Sequence, residues 1–293
     1  MKQVLITVVT YNRIRDLGKC IDALRNQTHS DFDILVVNNG SSDGTKEWLE
    51  QQGDIITINQ ENMGGAGGFY SGMRYMIDHD YQWLLMMDDD GIADKDELKN
   101  LLEKYETIKT ENGNEVILNA LVVDKDNPLC TAFFWARGSN RTREINKLKE
   151  TPYFNDIHPF NGTLIKRDVI ERIGLIKKEM FIWGDEKEYM ARAIHSNIGL
   201  FTITSAIHYH PKEKGIRGNI IPFIKKYQVL LKPINMSHIY YRNEGYIYNT
   251  YHERHNKMFL FCLAYTIRFI THFEFRELIK FIKYFNRGMK NRF

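Results

Sequence analysis

Short apolar runs alternate with amphipathic stretches through the first third of the chain. Residues 2–9, 33–38 and 54–59 are apolar and rich in β-branched side chains, which predicts buried strands. Between them, 12–27 carries apolar residues at helical spacing, and 45–52 predicts a shorter helix. A strand–helix–strand–helix–strand order predicts a parallel sheet with right-handed crossovers.

The same patterns continue along the rest of the chain and place it in the α/β class. Helices are predicted at 70–79, 94–109, 167–174 and 187–196, and strands at 83–87, 116–124, 129–135, 160–165 and 200–209. The strongly charged stretch 142–150 predicts an exposed connection. Residues 256–293, rich in Phe, Ile and Tyr with interspersed Lys and Arg, predict one or two helices.

An acidic triplet follows one of these strands. The apolar run 83–87 is followed at once by Asp88, Asp89 and Asp90. Three adjacent carboxylates repel one another, which raises the pKa of at least one of them unless a cation is present. Mg²⁺ and Mn²⁺ prefer oxygen ligands, and open α/β sheets bind ligands at the carboxyl ends of their strands. The run therefore indicates a metal-and-phosphate site, although taken alone it is equally typical of a plain acidic turn.

A glycine-rich stretch precedes the predicted helix at 70–79. Gly64, Gly65, Gly67 and Gly68 occupy four of five positions, and a turn of this kind can bind an anion through its N–H groups. The stretch has neither the Gly-Lys-Ser/Thr of a Walker loop nor the Gly-x-Gly-x-x-Gly of a dinucleotide fingerprint. A phosphate or sugar role is favoured over a flexible linker because the acidic triplet lies nearby.

Two further groups carry candidate chemistry. Asp185 and Glu186 follow an aromatic apolar run and begin the helix predicted at 187–196. Acids in a first turn suit the helix dipole, and they are also well placed to act as a general base. His208 and His210 share one face of the strand predicted at 200–209, where they form either a structural pair or a metal ligand.

Length and cysteine content bound the number of domains and the compartment. The 293 residues suffice for one large α/β domain with an appendage or for two modest domains, and three widely spaced cysteines suggest no disulfide framework or zinc motif and fit a reducing compartment. The apolar start is cut short by polar residues at 10–13, so it predicts a first strand rather than a signal peptide.

The charge is divided unevenly along the chain. Residues 1–210 carry 24 Lys/Arg and 32 Asp/Glu, a balance of −8, whereas 211–293 carry 16 and 5, a balance of +11. A basic tail indicates an anionic partner, and a membrane surface is favoured over nucleic acid because the basic residues alternate with aromatic ones that look buried. Residues 258–267 are too short to span a bilayer, and Arg268 interrupts them; an interfacial helix fits better. Packing against the domain or a second subunit is the alternative.

Together, the motifs resemble a known family. Their order is Val-Thr-Tyr-Asn-Arg at 9–13, Val-Asn-Asn-Gly-Ser-Ser-Asp at 37–43, the glycine stretch at 62–69, the acidic triplet, Phe-Ile-Trp-Gly-Asp-Glu at 181–186 and His210. Over roughly 1–243, the chain resembles the inverting family 2 glycosyltransferases of GT-A fold, and it is most similar to the galactofuranosyltransferase branch.

The resemblance implies a domain plan. A GT-A domain, with a Rossmann-like and mostly parallel sheet flanked by helices, would span 1–215. Its nucleotide-sugar half would cover about 1–95 and its acceptor half 96–215. Residues 216–293 would form a basic helical C-terminal region, and the basic loop 211–218 would fold over the diphosphate.

The resemblance also implies roles for individual residues. Nucleotide or donor binding would fall to Thr10, Tyr11, Arg13, Asn38, Asn62, Gly64, Gly65, Gly67, Gly68, Asp88, Asp89 and Arg242. Mn²⁺ or Mg²⁺ would be held by Asp90, Asp88 and His210. The acceptor would lie beside Trp183, Phe160 and Asn161, although a core position fits these residues equally well.

Three of these assignments depend on positions where this chain differs from the family's pattern or on the spacing between its motifs. Relatives carry an Asp that contacts uracil where this chain has Asn38, whose amide can both donate and accept. The general base would be Glu186, but relatives have Asp there, so Asp185 competes with it. His210 is preferred to His208 because its distance along the chain from Glu186 matches the family's spacing without a gap.

The implied activity is inverting sugar transfer from a nucleotide-sugar to a glycan hydroxyl in polysaccharide or cell-envelope synthesis. UDP-galactofuranose is the first donor expected and dTDP-rhamnose the second. A lipid-linked acceptor would place the enzyme at the cytoplasmic face of the cell membrane, with no nucleic-acid partner.

Two other classes of protein fit these residues less well. A sugar nucleotidyltransferase would need a basic glycine-rich signature near the first strand, which residues 9–13 do not supply. A non-catalytic glycan- or membrane-binding protein would have no need of the acidic triplet, Glu186 and His210.

Overall fold

A computed structural model of the chain describes two compact units. The described residues are 3–137, 140–212, 215–251 and 255–293. The first unit contains 3–178 and 192–212, and the second contains Glu179–Ala191 and 215–293. The expected GT-A domain, 1–215, includes Glu179–Ala191, which the structure groups with the second unit.

The strands and helices are numbered in chain order. The strands are β1 (Val4–Thr10), β2 (Phe32–Asn38), β3 (Ile55–Asn59), β4 (Trp83–Asp88), β5 (Ile92–Ala93), β6 (Val116–Asp124), β7 (Cys130–Arg137), β8 (Asn140–Glu144), β9 (Tyr153–Phe154), β10 (Asn161–Lys166), β11 (Gly199–His210), β12 (Ile216–Ile221) and β13 (Ile224–Leu231). The helices are α1 (Ile14–Arg25), α2 (Thr45–Leu49), α3 (Gly64–Asp78), α4 (Glu97–Asn112), α5 (Ile145–Leu148), α6 (Arg167–Ile173), α7 (Asp185–His195), α8 (Ser237–Tyr251), α9 (His255–Thr271) and α10 (Phe275–Met289).

The central sheet of the first unit is mostly parallel, as expected. Its main order is β3-β2-β1-β4-β10-β6-β11-β5. Strands β1 to β4 run parallel to one another, and β11 runs parallel to β6, while β10 is antiparallel to both of its neighbours. Insertion of this antiparallel strand between β4 and β6 is a pairing that apolar periodicity does not report.

Burial on both faces explains the continuous apolar runs. Val4, Ile6 and Val8 of β1 belong to the core cluster that includes the inner faces of α1 and α4. The alternate residues Thr7 and Val9 lie against α3. Each position of the strand is therefore covered by a helix, which selects apolar side chains throughout.

The stretch expected to form a glycine-rich turn is instead the start of helix α3. The helix begins at Gly64 rather than near residue 70, so the glycines lie in its first turns. A Cβ on Gly68 would lie 2.4 Å from Val9 Cγ1, and one on Gly72 would lie 2.3 Å from Thr7 Cγ2. Glycine lowers helix propensity, but here it lets α3 approach β1 more closely than any side chain would permit.

The stretch 142–150 is also more structured than expected. It contains the end of β8 and helix α5, whose Ile145 and Leu148 are buried in a small apolar cluster with Leu121 and Val123 of β6. The charged residues around these two positions hid the short apolar spacing, so the expectation of an exposed connection was wrong there.

The second unit is built from the β12–β13 hairpin, helices α8 to α10 and the segment Glu179–Ala191. Its core is aromatic and contains Tyr240, Tyr241, Tyr265, Phe269, Phe281 and Phe285. Helices α8 and α10 cross closely, since a Cβ on Gly288 would lie 1.8 Å from the Arg242 carbonyl oxygen. The one or two helices expected at 256–293 are two, α9 and α10, and within the described residues no helix is long and apolar enough to cross a membrane.

The expected basic loop at 211–218 is in part a strand. Residues 216–218 begin β12, while 213 and 214 lie outside the described residues. The apolar positions of the hairpin are interrupted by Gly218, Pro222 and Lys225, so no run long enough to predict a strand is present in the sequence.

Candidate functional site

The carboxyl ends of three neighbouring parallel strands bring several predicted residues to one edge of the sheet. Thr10 pairs in register with Asn38 on β2, and Val9 pairs with Asp88 on β4. This is where open α/β sheets bind ligands.

Asp89 turns inward and is held by two side chains. Thr10 Oγ1 donates to Asp89 Oδ2 at 2.7 Å, and Arg13 Nη1 lies 3.1 Å from Asp89 Oδ1. The same Arg13 nitrogen lies 2.7 Å from Asp90 Oδ2. The acidic turn is thus tied to the β1–α1 connection, and Asp89 is buried while Asp88 and Asp90 stay partly exposed.

Asp88, Asp90 and His210 form a candidate metal cluster. One ligand atom of each lies within 4.8 Å of the others. His210 Nε2 lies 3.3 Å from Asp90 Oδ1, while its Nδ1 lies 2.7 Å from the Pro211 carbonyl oxygen. An Nδ1–H bond to a carbonyl leaves the Nε2 lone pair available to a cation. Two carboxylates and one imidazole suit Mn²⁺ or Mg²⁺, so the residues fit the expected ion.

The electrostatics of this cluster favour a cation. Loss of hydration and the charges of Asp90 and Asp89 raise the pKa of Asp88 to about 7. Burial raises the pKa of Asp89 to about 6, against the opposing bond from Thr10. Although burial opposes it, the contact with His210 lowers the pKa of Asp90 to about 2. Arg13 and His210 offset part of the repulsion between these carboxylates, and a bound cation would offset more of it.

His208 lies beneath the acidic turn rather than in it. Its Nδ1 is 3.0 Å from Glu97 Oε2, and both side chains are fully buried. A Cβ on Gly91 would lie 2.3 Å from His208 Nε2, so the chain after the triplet rests directly on the imidazole. Glu97 was not among the site residues predicted from the sequence; its position in the first turn of an amphipathic helix, facing the core, was the available signal.

The predicted nucleotide residues on β2 and α3 are joined by side-chain amides. Asn38 is buried; its Nδ2 donates to Asn59 Oδ1 at 2.8 Å, and its Oδ1 accepts from the Ser41 N–H at 3.1 Å. Asn39, which sequence analysis did not assign, donates to the Gly64 carbonyl oxygen at 2.8 Å. Both amides therefore fix the backbone around the β2 and α3 ends, and Tyr11 beside them is exposed.

The first turn of α3 has one N–H already capped. Asn62 Oδ1 accepts from the Gly64 N–H at 2.9 Å, and the Gly67 N–H bonds within the helix to Met63. Gly65 is the partly exposed glycine of the group, and nothing lies within 4 Å of where its Cβ would be. Backbone approach by a ligand is therefore open at Gly65 but closed at Gly67 and Gly68, which face Met63 and Val9.

The predicted acceptor residues have different environments. Phe160 is buried, and its ring centroid lies 4.7 Å from that of Phe69, which is an interior contact. Asn161 is also buried, and its Oδ1 has no hydrogen-bond partner among the described residues. Trp183, in the second unit, is partly exposed, with Lys232 Nζ 4.6 Å above its ring.

In the second unit, a strained turn leads into the predicted general base. Phe181, Trp183 and Gly184 have φ values of 66°, 59° and 114°. Non-glycine residues occupy this region only when their surroundings enforce it. Asp185 then begins α7 and is buried, and the partly exposed Glu186 accepts the Gly184 N–H at 3.1 Å.

Asn243 holds this turn. Its buried Nδ2 lies 2.9 Å from the Met180 carbonyl oxygen and 3.0 Å from those of Ile182 and Trp183. Neighbouring Arg242, predicted to bind the donor, donates to the carbonyls of Glu179 and Met180 at 2.9 and 3.2 Å. Asn243 was not among the site residues predicted from the sequence, although its neighbour Arg242 was.

Comparison with known proteins adds a family match. The profile of glycosyl transferase family 2 matches residues 5–174. Galactofuranosyltransferase GlfT1 of Mycobacterium tuberculosis (strain CDC 1551 / Oshkosh) is 32% identical over 223 residues, which cover 72% of this chain and 70% of GlfT1. dTDP-rhamnosyl transferase RfbF of Shigella flexneri is 24% identical over 200 residues, 65% of this chain and 63% of RfbF.

A solved structure extends the likeness in fold. The crystal structure of GalNAc-T7 with UDP, GalNAc and Mn²⁺ superposes with a TM-score of 0.59, covering 86% of this chain and 49% of that chain at 14% identity. At that identity, the likeness is one of fold alone. It confirms the GT-A-like α/β architecture expected from the sequence.

Proposed function

The chain belongs to glycosyl transferase family 2, and on that basis we propose that it transfers galactofuranose from UDP-galactofuranose, with inversion, to a hydroxyl of a glycan acceptor. The observation that carries the proposal is the cluster of Asp88, Asp90 and His210 at the carboxyl ends of the parallel strands, together with the 32% identity to a galactofuranosyltransferase. Polysaccharide or cell-envelope synthesis is the process in which such a transfer would serve.

The leaving diphosphate is the group that the first unit would bind. Asp88, Asp90 and His210 would hold Mn²⁺ or Mg²⁺, and the bound ion supplies charge stabilisation to the departing diphosphate. Arg13, now paired with Asp89 and Asp90, carries positive charge at the same edge. The exposed N–H of the first turn of α3 near Gly65 would add a neutral donor to a phosphate oxygen.

A carboxylate of the second unit would act as general base. Glu186 is the first assignment, and Asp185 is the alternative. Removal of the acceptor's proton as the sugar–phosphate bond breaks gives a single displacement, which inverts the anomeric centre. Glu186 is partly exposed, as a base that meets an incoming acceptor must be, whereas Asp185 is buried.

A rhamnosyl donor is the second candidate, supported by the similarity to a dTDP-rhamnosyl transferase over 65% of the chain. The mechanism would be unchanged, and the nucleotide and sugar would differ. Asn38 bears on the choice between the two donors. Its side-chain amide hydrogen bonds to Asn59 and Ser41 define the edge of the sheet where the donor's nucleobase would lie.

For its location, we propose the cytoplasmic face of the cell membrane, reached through the second unit. Residues 215–293 carry an excess of Lys and Arg, and several large apolar side chains of this unit are exposed, including Phe259, Leu260 and Phe275. A surface that combines both features suits an anionic membrane and would bring the site to a lipid-linked acceptor.

The test is nucleotide release from a panel of UDP-, GDP- and dTDP-sugars with Mn²⁺ and with short galactan or rhamnan acceptors, read against a chelator control. Asp90→Asn and Glu186→Gln should each lower release at least a hundredfold, while Glu103→Gln on the exposed face of α4 should leave it unchanged.

Each outcome of this test bears on a separate part of the proposal. Release from UDP-galactofuranose alone supports the donor assignment, and release from dTDP-rhamnose alone replaces it. A greater loss with Asp185→Asn than with Glu186→Gln would move the base to Asp185. Chelator-insensitive release would overturn the metal site.

A further inference from the structure

The tip of the β12–β13 hairpin exposes an apolar surface that no interaction described so far explains. Phe223, between the two strands, is 99% exposed. Its neighbours Ile221 and Ile224, at the ends of β12 and β13, are also exposed. Single exposed apolar residues are ordinary, but three grouped at one turn mark an interaction surface.

The backbone at the tip is unfavourable for the residue that occupies it. Phe223 has a φ of 66°, in the left-handed region where glycine is normally preferred. Phe273, in the turn between α9 and α10, repeats the combination with a φ of 59° and 80% exposure. Neither phenylalanine ring contributes to folding by burial, so at both turns an aromatic side chain occupies a position where the backbone conformation favours glycine.

The hairpin is anchored to α9 both near its open end and close to its tip, and only the turn itself is free. Val229 is buried, and the Tyr265 hydroxyl of α9 donates to the Leu230 carbonyl. Thr271 Oγ1, at the end of α9, donates to the Ile220 carbonyl oxygen at 2.8 Å. This bond joins the hairpin to the end of α9, two residues before Phe273, so both exposed phenylalanines project from the same anchored part of the unit.

Exposed lysines lie beside the hairpin tip, and the two acids near Phe273 are each paired with a base. Lys225 and Lys226 follow the tip and are exposed, and the hairpin sequence 216–231 contains no Asp or Glu. Near Phe273, the acid Glu274 is paired with Arg268 at 3.1 Å, and Glu277 is paired with Lys280. An apolar tip followed by two exposed lysines matches an anionic lipid surface, with the phenylalanine rings below the headgroups and the lysines among them.

A second copy of the chain fits this surface less well. A stable dimer buries about 800 Å² on each partner, whereas an aromatic side chain contributes on the order of 200 Å², and the tip offers one aromatic ring and two isoleucines. The exposed lysines beside the tip would also repel those of a second copy.

We propose that the β12–β13 hairpin, with Phe223 at its tip and Phe273 in the neighbouring α9–α10 turn, inserts into the interfacial layer of an anionic bilayer. This inference rests on the proposed membrane location and names the element that makes the contact. The sequence predicted an interfacial helix within 256–293 of the basic C-terminal region, whereas the inference places the main contact on a hairpin of that region.

Co-sedimentation with phosphatidylcholine vesicles, with and without phosphatidylglycerol, tests the inference. Phe223→Gly suits the observed φ, so the variant should unfold at the same temperature as the parent or higher while its partition coefficient falls about tenfold or more. Leu129→Ala, at a 73% exposed leucine of the first unit, is the matched control and should bind normally. Lys225→Gln with Lys226→Gln should weaken binding to anionic vesicles roughly fivefold per lysine at low salt.

A Trp placed at the tip reads insertion directly. Phe223→Trp should show a blue-shifted emission and quenching by brominated lipid on addition of anionic vesicles. If Phe223→Gly binds as well as the parent, and Trp at 223 stays solvent-exposed, the hairpin assignment is overturned while membrane binding stands. If the parent chain binds no vesicle, both the hairpin and the membrane location are overturned, while nucleotide release with a soluble acceptor still reports separately on the transfer activity.

Discussion

His208 and Glu97 form a fully buried pair, with Nδ1 of the histidine 3.0 Å from Oε2 of the glutamate. The pair lies directly beneath Gly91, so it supports the turn that carries the acidic triplet. His210, two residues further along β11, lies beside Asp90 instead. One histidine therefore serves as internal support, and the other faces the candidate cation.

Substitution of these two histidines should have opposite effects. His208→Ala leaves Glu97 buried without its partner and should lower the free energy of unfolding by about 3–5 kcal/mol. His210→Ala should cost little stability but weaken Mn²⁺ binding about 10- to 100-fold. Thermal unfolding and calorimetric titration of Mn²⁺ on both variants measure the contrast. Equal loss of metal affinity in two well-folded variants would contradict the assignment.

Metal affinity should rise with pH. A cation binds the ionised carboxylate, and the pKa of Asp88 is about 7 without it. Although burial opposes it, the contact with Asp90 raises the pKa of His210 above its usual value, so this ligand also loses a proton on binding. Proton release per Mn²⁺ should therefore be larger at pH 6 than at pH 8, and Kd should fall as the pH rises between them. Calorimetry in two buffers of different ionisation enthalpy measures both quantities, and a pH-independent Kd would rule out this account.

Asn243 should control the turn that precedes the predicted base. Asn243→Ala leaves the carbonyls of Met180, Ile182 and Trp183 without their buried donor and should destabilise the second unit by about 1–3 kcal/mol. Sugar transfer should fall tenfold or more at temperatures where the variant is folded, because the strained turn relaxes. Mn²⁺ affinity should not change, since the cluster lies in the first unit. A matched change at Asn219→Ala, on the exposed edge of the hairpin, is the control.

Two glycines of α3 should respond in opposite ways to alanine. Gly68→Ala forces a Cβ to within 2.4 Å of Val9 Cγ1 and should cost about 1–3 kcal/mol of unfolding free energy. The added change Val9→Ala should recover part of this loss. Gly65→Ala meets no atom within 4 Å and should stabilise the helix by about 0.5–1 kcal/mol. If phosphate approaches the backbone there, Gly65→Ala should raise the KM for the donor while chemical denaturation shows a more stable protein.

Much of the fold could be predicted because local pattern and burial agree. The runs that became β1, β2, β4 and β6 are largely buried on both faces, and their apolar residues are therefore contiguous. The β12–β13 hairpin could not be predicted, since it is half exposed and broken by Gly218 and Pro222. The glycines of α3 were misplaced for a related reason: their benefit comes from contact with β1, which local helix propensity does not include.

For the site, the sequence by itself determined which chemical groups are available: three consecutive carboxylates at a strand end, two alternating histidines and an acid pair at a helix start. Only the tertiary structure decided their partners. It grouped Asp88 and Asp90 with His210 and turned Asp89 toward Thr10 and Arg13. The physical reason is that β4 and β11 are 110 or more residues apart in the chain and are brought to the same edge only by sheet pairing, a long-range choice that no local pattern encodes.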